Sequence, residues 1–144
     1  MPESKRIDAI IQTISAIRPK GDDYLEQLEE LCDEIESLPD GKKAMNPLFA
    51  LLEKYPNVDF GAPGPVVHLL ETYYKKGYEE ALLASLARRP VPLTVWMLNR
   101  LINGSSGKAK ASYLEVMQRL ASNKDMPASI RRDAKEFLDS PDED

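Results

Sequence analysis

The residues that could do chemistry in this chain concentrate in one short run. Residues 59–68 read DFGAPGPVVH and combine an aspartate, two glycines, two prolines and the one histidine, His68. A DFG triplet supplies a magnesium-binding aspartate in protein kinases, and a histidine can act as a general base. The kinase interpretation fails on context, because neither a glycine-rich loop after a strand nor a catalytic-loop motif accompanies the triplet.

His68 has too few companions for the common catalytic or metal sites. Glu71 shares a helical face with it, but a zinc site needs three or four protein ligands. No motif supplies a serine or cysteine nucleophile, and Cys32 sits among apolar residues at helical spacing, as a core residue does. We therefore expect a non-enzymatic protein without metal or cofactor, in which His68 is structural or part of a binding surface. A small hydrolase built around His68 is the enzymatic alternative.

Prolines and glycines explain the run better than catalysis does. Pro63 favours an extended backbone, Gly64 suits a helix cap, and Pro65 suits the first helical position, where its missing N–H costs nothing. The sequence therefore predicts a rigid start to a helix that ends at Gly77.

Apolar residues recur at three- and four-residue steps along nearly the whole chain, and no stretch alternates convincingly as a strand would. Proline and glycine divide this pattern into eight predicted helices, at about residues 3–17, 22–38, 42–55, 65–77, 78–89, 91–104, 108–122 and 127–139. The chain is predicted to be one all-helical domain over residues 1–144, with an acidic tail at 140–144 that frays.

The apolar triplets of three predicted helices recur at a spacing of 34 residues: Leu48, Phe49 and Leu52; Leu82, Leu83 and Leu86; Val116, Met117 and Leu120. A repeat as long as one helical hairpin predicts a stacked α-solenoid. Because the tetratricopeptide pattern of Trp, Leu-Gly and Tyr is absent, we expect an all-α, HEAT-like α-solenoid of about four helical hairpins. An irregular helical bundle is the alternative.

Charge is distributed unevenly. Residues 1–72 carry 7 Lys and Arg against 14 Asp and Glu, a net charge of −7, whereas residues 73–144 carry 12 against 10, a net charge of +2. Residues 22–36 hold eight acids and no base, and like charges four residues apart on a helix repel. A solvated face is one interpretation; a surface for a basic protein partner, with no direct nucleic-acid binding, is the other. The predicted partner-binding residues here are Asp22, Asp23, Glu26, Glu29, Glu30 and Asp33.

A second group of candidate contacts lies in VWMLNR, residues 95–100. Trp96, Asn99 and Arg100 project from a side of the helix that differs from its apolar stripe. They either pack against the neighbouring hairpin or line a concave binding surface, where Trp and Arg are typical hot-spot residues. With His68 and Tyr74 they form the predicted partner-binding ridge.

The sequence also indicates the cellular compartment that we expect for the chain. No apolar run approaches the roughly 20 residues that cross a bilayer, and the N-terminus has neither the apolar region nor the cleavage site of a signal peptide. One cysteine cannot form an internal disulfide. We expect a cytoplasmic protein without membrane contact.

A resemblance to a known family lies in residues 59–104, which read DFGAPGPVVHLLETYYKKGYEEALLASLARRPVPLTVWMLNRLING, and extends upstream through LFALLEKYPNV. This block resembles one in small helical proteins of bacterial polymorphic-toxin loci, the immunity proteins of contact-dependent and secretion-delivered toxins. The resemblance implies a cytoplasmic protein that binds one cognate toxin domain, often a nuclease with a basic cleft. It implies occlusion of that cleft or a grip on an adjacent surface, and it transfers no contact residues.

Overall fold

The computed structural model describes residues 3–61 and 64–140, and there the chain is helical without strands. The helices are α1 (Glu3–Ala16), α2 (Tyr24–Glu36), α3 (Met45–Lys54), α4 (Gly64–Glu71), α5 (Tyr78–Arg88), α6 (Pro92–Asn103), α7 (Gly107–Ser122) and α8 (Ala128–Asp139), with a 3₁₀ helix at Gly41–Ala44 before α3. The predicted all-α class is confirmed. None of these described helices is long and apolar enough to cross a membrane. Most of the predicted acidic tail, residues 141–144, lies outside the described residues.

The chain splits into two compact units, each with its own internal contacts: Met1–Ala81, the first unit, and Leu82–Asp144, the second unit. The division describes contacts only, so the predicted single-domain behaviour stays a prediction that unfolding experiments can test.

The core of the first unit comes from helices that pack two apart in the chain, α1 on α3 and α2 on α4. Ile7, Ile10 and Ile14 of α1 are buried, as is Ile17 directly after the helix, while Ile11 is half-buried. From α3, Phe49 stacks on Tyr78 with ring centroids 6.2 Å apart. Burying such apolar side chains is the main favourable term in forming this unit.

In the second unit α7 and α8 form the most extensive pair, and α6 packs on both of them. The apolar side chains that these three helices bury are Val95, Met97, Leu98, Leu101, Ile102, Met117, Leu120, Ile130 and Ala134. The start of α6 is fixed by Thr94, whose Oγ1 accepts the backbone N–H of Val91 at 3.1 Å. Pro92 follows as the first residue of the helix, where it needs no backbone partner.

The run at residues 59–68 forms a turn and a helix start. The carboxylate of Asp59 accepts the N–H of Gly61 at 2.8 Å, and the Tyr24 hydroxyl donates to the Asp59 carbonyl at 2.6 Å. Phe60 is buried, and α4 begins at Gly64, whose φ of +87° lies in the left-handed region that favours glycine. Asp59 is thus a turn residue. The extended conformation predicted at Pro63 lies outside the described residues.

Helix α4 is shorter than the sequence pattern predicts. It ends at Glu71, not at Gly77, and successive turns follow. The Thr72 hydroxyl donates to the Leu69 carbonyl at 2.6 Å, which competes with regular helical bonding. Lys75 then takes a left-handed backbone with φ of 63°, and its N–H donates to the Glu79 carboxylate at 2.9 Å. The turn breaks the helix despite an apolar pattern that would have continued it.

Candidate functional site

The acids of residues 22–36 are largely without basic partners. Glu34 is the exception, because it forms an ion pair with Arg6 of α1. The other seven make no ion pair with any residue in the described part of the chain, and all seven are exposed: Asp22, Asp23, Glu26, Glu29, Glu30, Asp33 and Glu36. The α2 surface is therefore a strongly negative face that this unit does not itself neutralise.

A groove of about 440 Å³ runs between α2 and α4, and we call it the α2–α4 groove. Its lining combines three carboxylates and an imidazole with an apolar floor: Glu29, Cys32, Asp33, Glu36, Gly64, Pro65, His68 and Leu69. Leu69 is 2% exposed and Cys32 is 4% exposed, so they form the floor, whereas the charged side chains stand at the rim.

Helical spacing explains why three acids share this groove. Glu29, Asp33 and Glu36 lie four and three residues apart on α2, which brings them onto one face of the helix. Opposite them, α4 starts at Gly64, so His68 lies one turn into the helix with its side chain exposed. The prolines and glycines of the 59–68 run therefore serve the site by fixing where α4 begins.

Burial decides the chemistry of the one thiol in the groove. Desolvation, and after it the charges of Asp33 and Glu36, together raise the pKa of Cys32 to about 12. A nucleophilic cysteine needs the opposite shift, since the thiolate is the reactive form. Cys32 is thus a neutral part of the groove floor, in agreement with its predicted core position.

The groove has the electrostatics of a site for a cationic side chain. Each like-charge pair four residues apart costs about 0.2–0.5 kcal/mol on an exposed helix, and Glu29 with Asp33 is such a pair. An arginine or lysine entering between the carboxylates would relieve this repulsion and form charge-assisted hydrogen bonds. Among the described residues, no three His, Cys, Asp or Glu side chains are arranged to hold a metal ion.

Three of the predicted contact residues, Glu29, Asp33 and His68, line the α2–α4 groove together. Four others lie on the same acidic segment outside the groove lining: Asp22, Asp23, Glu26 and Glu30. Sequence reasoning left Glu36 out of the site, although its spacing from Asp33 and Glu29 indicated the shared face. It had no signal for Gly64, Pro65 and Leu69, because only the packing of α4 on α2 brings them there.

Tyr74 lies outside the groove, in the turns that follow α4. Its side chain is 42% exposed, the highest value for a large hydrophobic residue in the described ranges. The Lys75 ammonium lies 5.7 Å from the centroid of its ring, within the range of a cation–π interaction. Tyr74 is accessible to a partner, as its predicted role requires.

The remaining predicted contacts belong to the second unit. The Arg100 guanidinium lies 5.0 Å from the Trp96 ring centroid, and both side chains are half-buried on α6. Asn99 is 1% exposed, which favours the packing interpretation for this residue and leaves no surface for a direct partner contact. The predicted ridge draws on residues of both units and stays a prediction.

Comparison of the chain with models of known protein families, with curated proteins and with solved structures found no match.

Proposed function

We propose that this protein is a non-enzymatic immunity protein that binds a basic bacterial toxin domain, of the nuclease type, and neutralises it by covering its active-site cleft. The observation that carries the proposal is the row of seven exposed acids on and before α2 that have no basic partner among the described residues. The family resemblance of residues 59–104 supports the same function.

The acidic face acts in two ways in this proposal. At a distance, its field attracts a positively charged cleft and accelerates association, an effect that salt screens. At contact, a basic side chain of the partner enters the α2–α4 groove between Glu29, Asp33 and Glu36. The exposed imidazole of His68 stands at the same rim and offers a hydrogen bond.

Two matched variants separate attraction from docking. Both remove three negative charges from the same segment, so their effects on the overall field are similar. The groove variant is Glu29→Gln, Asp33→Asn and Glu36→Gln. The outer variant is Asp22→Asn, Asp23→Asn and Glu26→Gln. The partners to test are the basic toxin domains encoded beside the gene, with association and dissociation followed at low and high salt.

We expect both variants to slow association at low salt and to weaken its dependence on salt. Only the groove variant should also speed dissociation, by about tenfold or more, because it alone removes charges that contact the partner. Equal dissociation rates for the two variants would contradict docking in the groove. An unchanged association rate in both would remove the acidic face from the mechanism.

Co-expression tests neutralisation itself. The chain should co-purify with its toxin domain and restore growth, and the groove variant should restore it less well. An adaptor or scaffold without a toxin partner is the second candidate, and it is supported by the helix packing described next. Binding to a partner without any rescue from toxicity would favour the adaptor.

We also infer that the helices stack as a HEAT-like solenoid of hairpins. In a stack of hairpins, helices two apart in the chain pack against each other, and such packing occurs between α1 and α3, α2 and α4, and α6 and α8. An experimental structure in which successive hairpins are not related by a similar rotation would favour the irregular bundle.

A further inference from the structure

A second groove lies in the second unit, between the end of α5 and the end of α7. It has a volume of about 350 Å³, and we call it the α5–α7 groove. Among the described residues, most of its lining is apolar: Leu83, Leu86, Ala87, Val116, Leu120 and Met126. The other two lining residues are Asn123 and the charged Arg119. It shares no residue with the α2–α4 groove, and the inference drawn from it does not depend on the proposed toxin partner.

The 34-residue repeat shows that this groove occurs where helix packing is missing. Leu83 corresponds to Phe49 of α3, and Val116 corresponds to Leu48. Phe49 and Leu48 are 0% and 1% exposed, whereas Leu83 and Val116 are only half-buried. The reason lies in their neighbours: α3 packs closely on α1, but the described residues show no comparable contact between α5 and α7. Two apolar positions of the repeat, Leu83 and Val116, are therefore only partly covered here, although the other members of their triplets are buried.

The groove is built in advance of any ligand. Its far end is a turn in which the Asp125 N–H donates to the Asn123 side chain at 2.9 Å. The Arg131 guanidinium donates to the Met126 carbonyl at 3.2 Å, which fixes the turn from α8. Preorganisation of this kind lowers the entropic cost of binding.

Arg119 sets the charge that an occupant must carry. Its guanidinium lies 3.8 Å from the Glu115 carboxylate, and both side chains are largely exposed, at 73% and 66%. Exposed pairs of this kind are worth about 0–1 kcal/mol, so Arg119 is available to a second carboxylate. In the part of the chain that the structure describes, no acidic residue lines this groove, in contrast to the three that line the α2–α4 groove.

Shape decides between a small molecule and a helix. Small-molecule sites usually bury most of their ligand, but here Ala87, Arg119 and Asn123 of the lining are exposed. An amphipathic helix covers such a groove, with leucines one turn apart filling it and its polar face towards water.

We propose that the α5–α7 groove is a docking site for a short amphipathic helix of a protein partner, which inserts apolar side chains at one-turn spacing and pairs a carboxylate with Arg119. The helices α1 and α3 pack directly on each other, whereas in the described part of the chain α5 and α7 show no comparable contact. The docked helix would fill the space between α5 and α7.

The test uses a synthetic helical peptide with an Ala/Gln host, capped ends, leucines on one face and one glutamate beside them. Its negative charge keeps it from binding the acidic face of α2 non-specifically. Backbone NMR shifts should change at residues 83–87 and 116–126 as the peptide is added. A control peptide with Gln in place of each leucine should cause no such changes.

Three variants assign the contacts. Leu83→Gln with Val116→Thr should weaken peptide binding about tenfold, because half-buried apolar surface is lost without disturbing the core. Arg119→Glu should weaken it about fivefold, and a peptide with Lys in place of its Glu should restore binding to that variant. Arg132→Glu, the same charge change at an exposed position of α8, should leave affinity unchanged. Circular dichroism checks that each variant is folded.

Several results would overturn the proposal. They are no binding of the parent peptide, equal binding of the leucine-free peptide, or shift changes mapped to other residues. An unchanged peptide affinity in the variants at Leu83, Val116 and Arg119 would also overturn it. If decanoate shifts the same residues while the peptide does not, the groove takes a small amphipathic carboxylate and the helix-docking proposal is wrong.

Discussion

Cys32 illustrates how burial alone sets the behaviour of a reactive residue type. It lines a groove, yet it is 4% exposed and its pKa is raised to about 12 by desolvation and then by Asp33 and Glu36. Such a thiol stays protonated in the folded protein while an unfolded one ionises near its ordinary value of 9.0. The free energy of unfolding consequently falls as pH rises above that value, because the unfolded state then loses its thiol proton and the folded state keeps it.

We expect this thiol to make stability depend on pH in the alkaline range. Its contribution is complete below about pH 9 and is lost as pH rises towards 12, at about 1.4 kcal/mol per pH unit. Urea unfolding of the parent and of Cys32→Ala at several alkaline pH values measures it. Burial, then Glu36 and then Cys32 raise the pKa of Tyr73, so Cys32→Ala removes only the smallest of these causes and the larger part of the tyrosine's effect is common to both proteins. Identical slopes for the two proteins would show that Cys32 is not the titrating group.

Helix α2 places its negative charges at both ends of one helix dipole. Asp22, Asp23 and Glu26 lie at or before the first turn, where the dipole favours acids, whereas Glu36 ends the helix, where it disfavours them. Glu29 and Asp33 add a like-charge pair between these ends. Both ends of α2 therefore carry like-charge repulsion, Glu26 with Glu30 at the outer end and Glu29 with Asp33 at the groove end. Only the groove end also places an acid where the helix dipole disfavours it.

The groove and outer variants should consequently differ in stability without any partner. We expect the groove variant to raise the free energy of unfolding by about 0.5–1 kcal/mol, because it removes like-charge pairs and an acid at the wrong end of the dipole. The outer variant should leave it unchanged or lower it by about 0.5 kcal/mol, because the loss of favourable acids at the helix start offsets or outweighs the relief of the repulsion between Glu26 and Glu30. Urea unfolding at low salt measures both, and high salt should shrink the difference. A groove variant less stable than the parent would refute this account of α2.

The boundary between the two compact units lies inside a helix, so both units contain part of α5. The boundary between Ala81 and Leu82 falls within α5, so the first turn of this 11-residue helix belongs to one unit and the rest to the other. Isolated helices shorter than about 12–15 residues are marginal in water, so neither part of α5 is stable once the other has unfolded. This argues for cooperative unfolding of the whole chain.

One natural reporter in each unit tests that cooperativity. The single cysteine, Cys32, lies in the first unit and the single tryptophan, Trp96, lies in the second. We expect thiol labelling of Cys32 and fluorescence of Trp96 to give the same urea midpoint, and far-UV circular dichroism to agree with both. Separate midpoints would mean that the units unfold independently and that the single-domain prediction is wrong.

The spacing of apolar residues and the positions of proline and glycine were enough to predict the helices. Proline, glycine and the three- and four-residue apolar steps located the helices other than α4 within a few residues, because these signals act locally through backbone geometry and one-sided burial. The end of α4 was missed, since the left-handed Lys75 depends on a carboxylate from the next helix, Glu79. The acids of α2 could be read from the sequence, but His68 could be placed beside them only once α4 packs on α2.

The sequence by itself determined that this chain is helical, where its helices begin, and that one of them carries an unbalanced negative charge, because each of these follows from neighbours along the chain. Only the tertiary structure decided which charges share a groove, that Asn99 is buried, and that Leu83 and Val116 are left partly uncovered. Those outcomes depend on which helices come into contact, and a helix's own residues specify its apolar face without specifying what covers it.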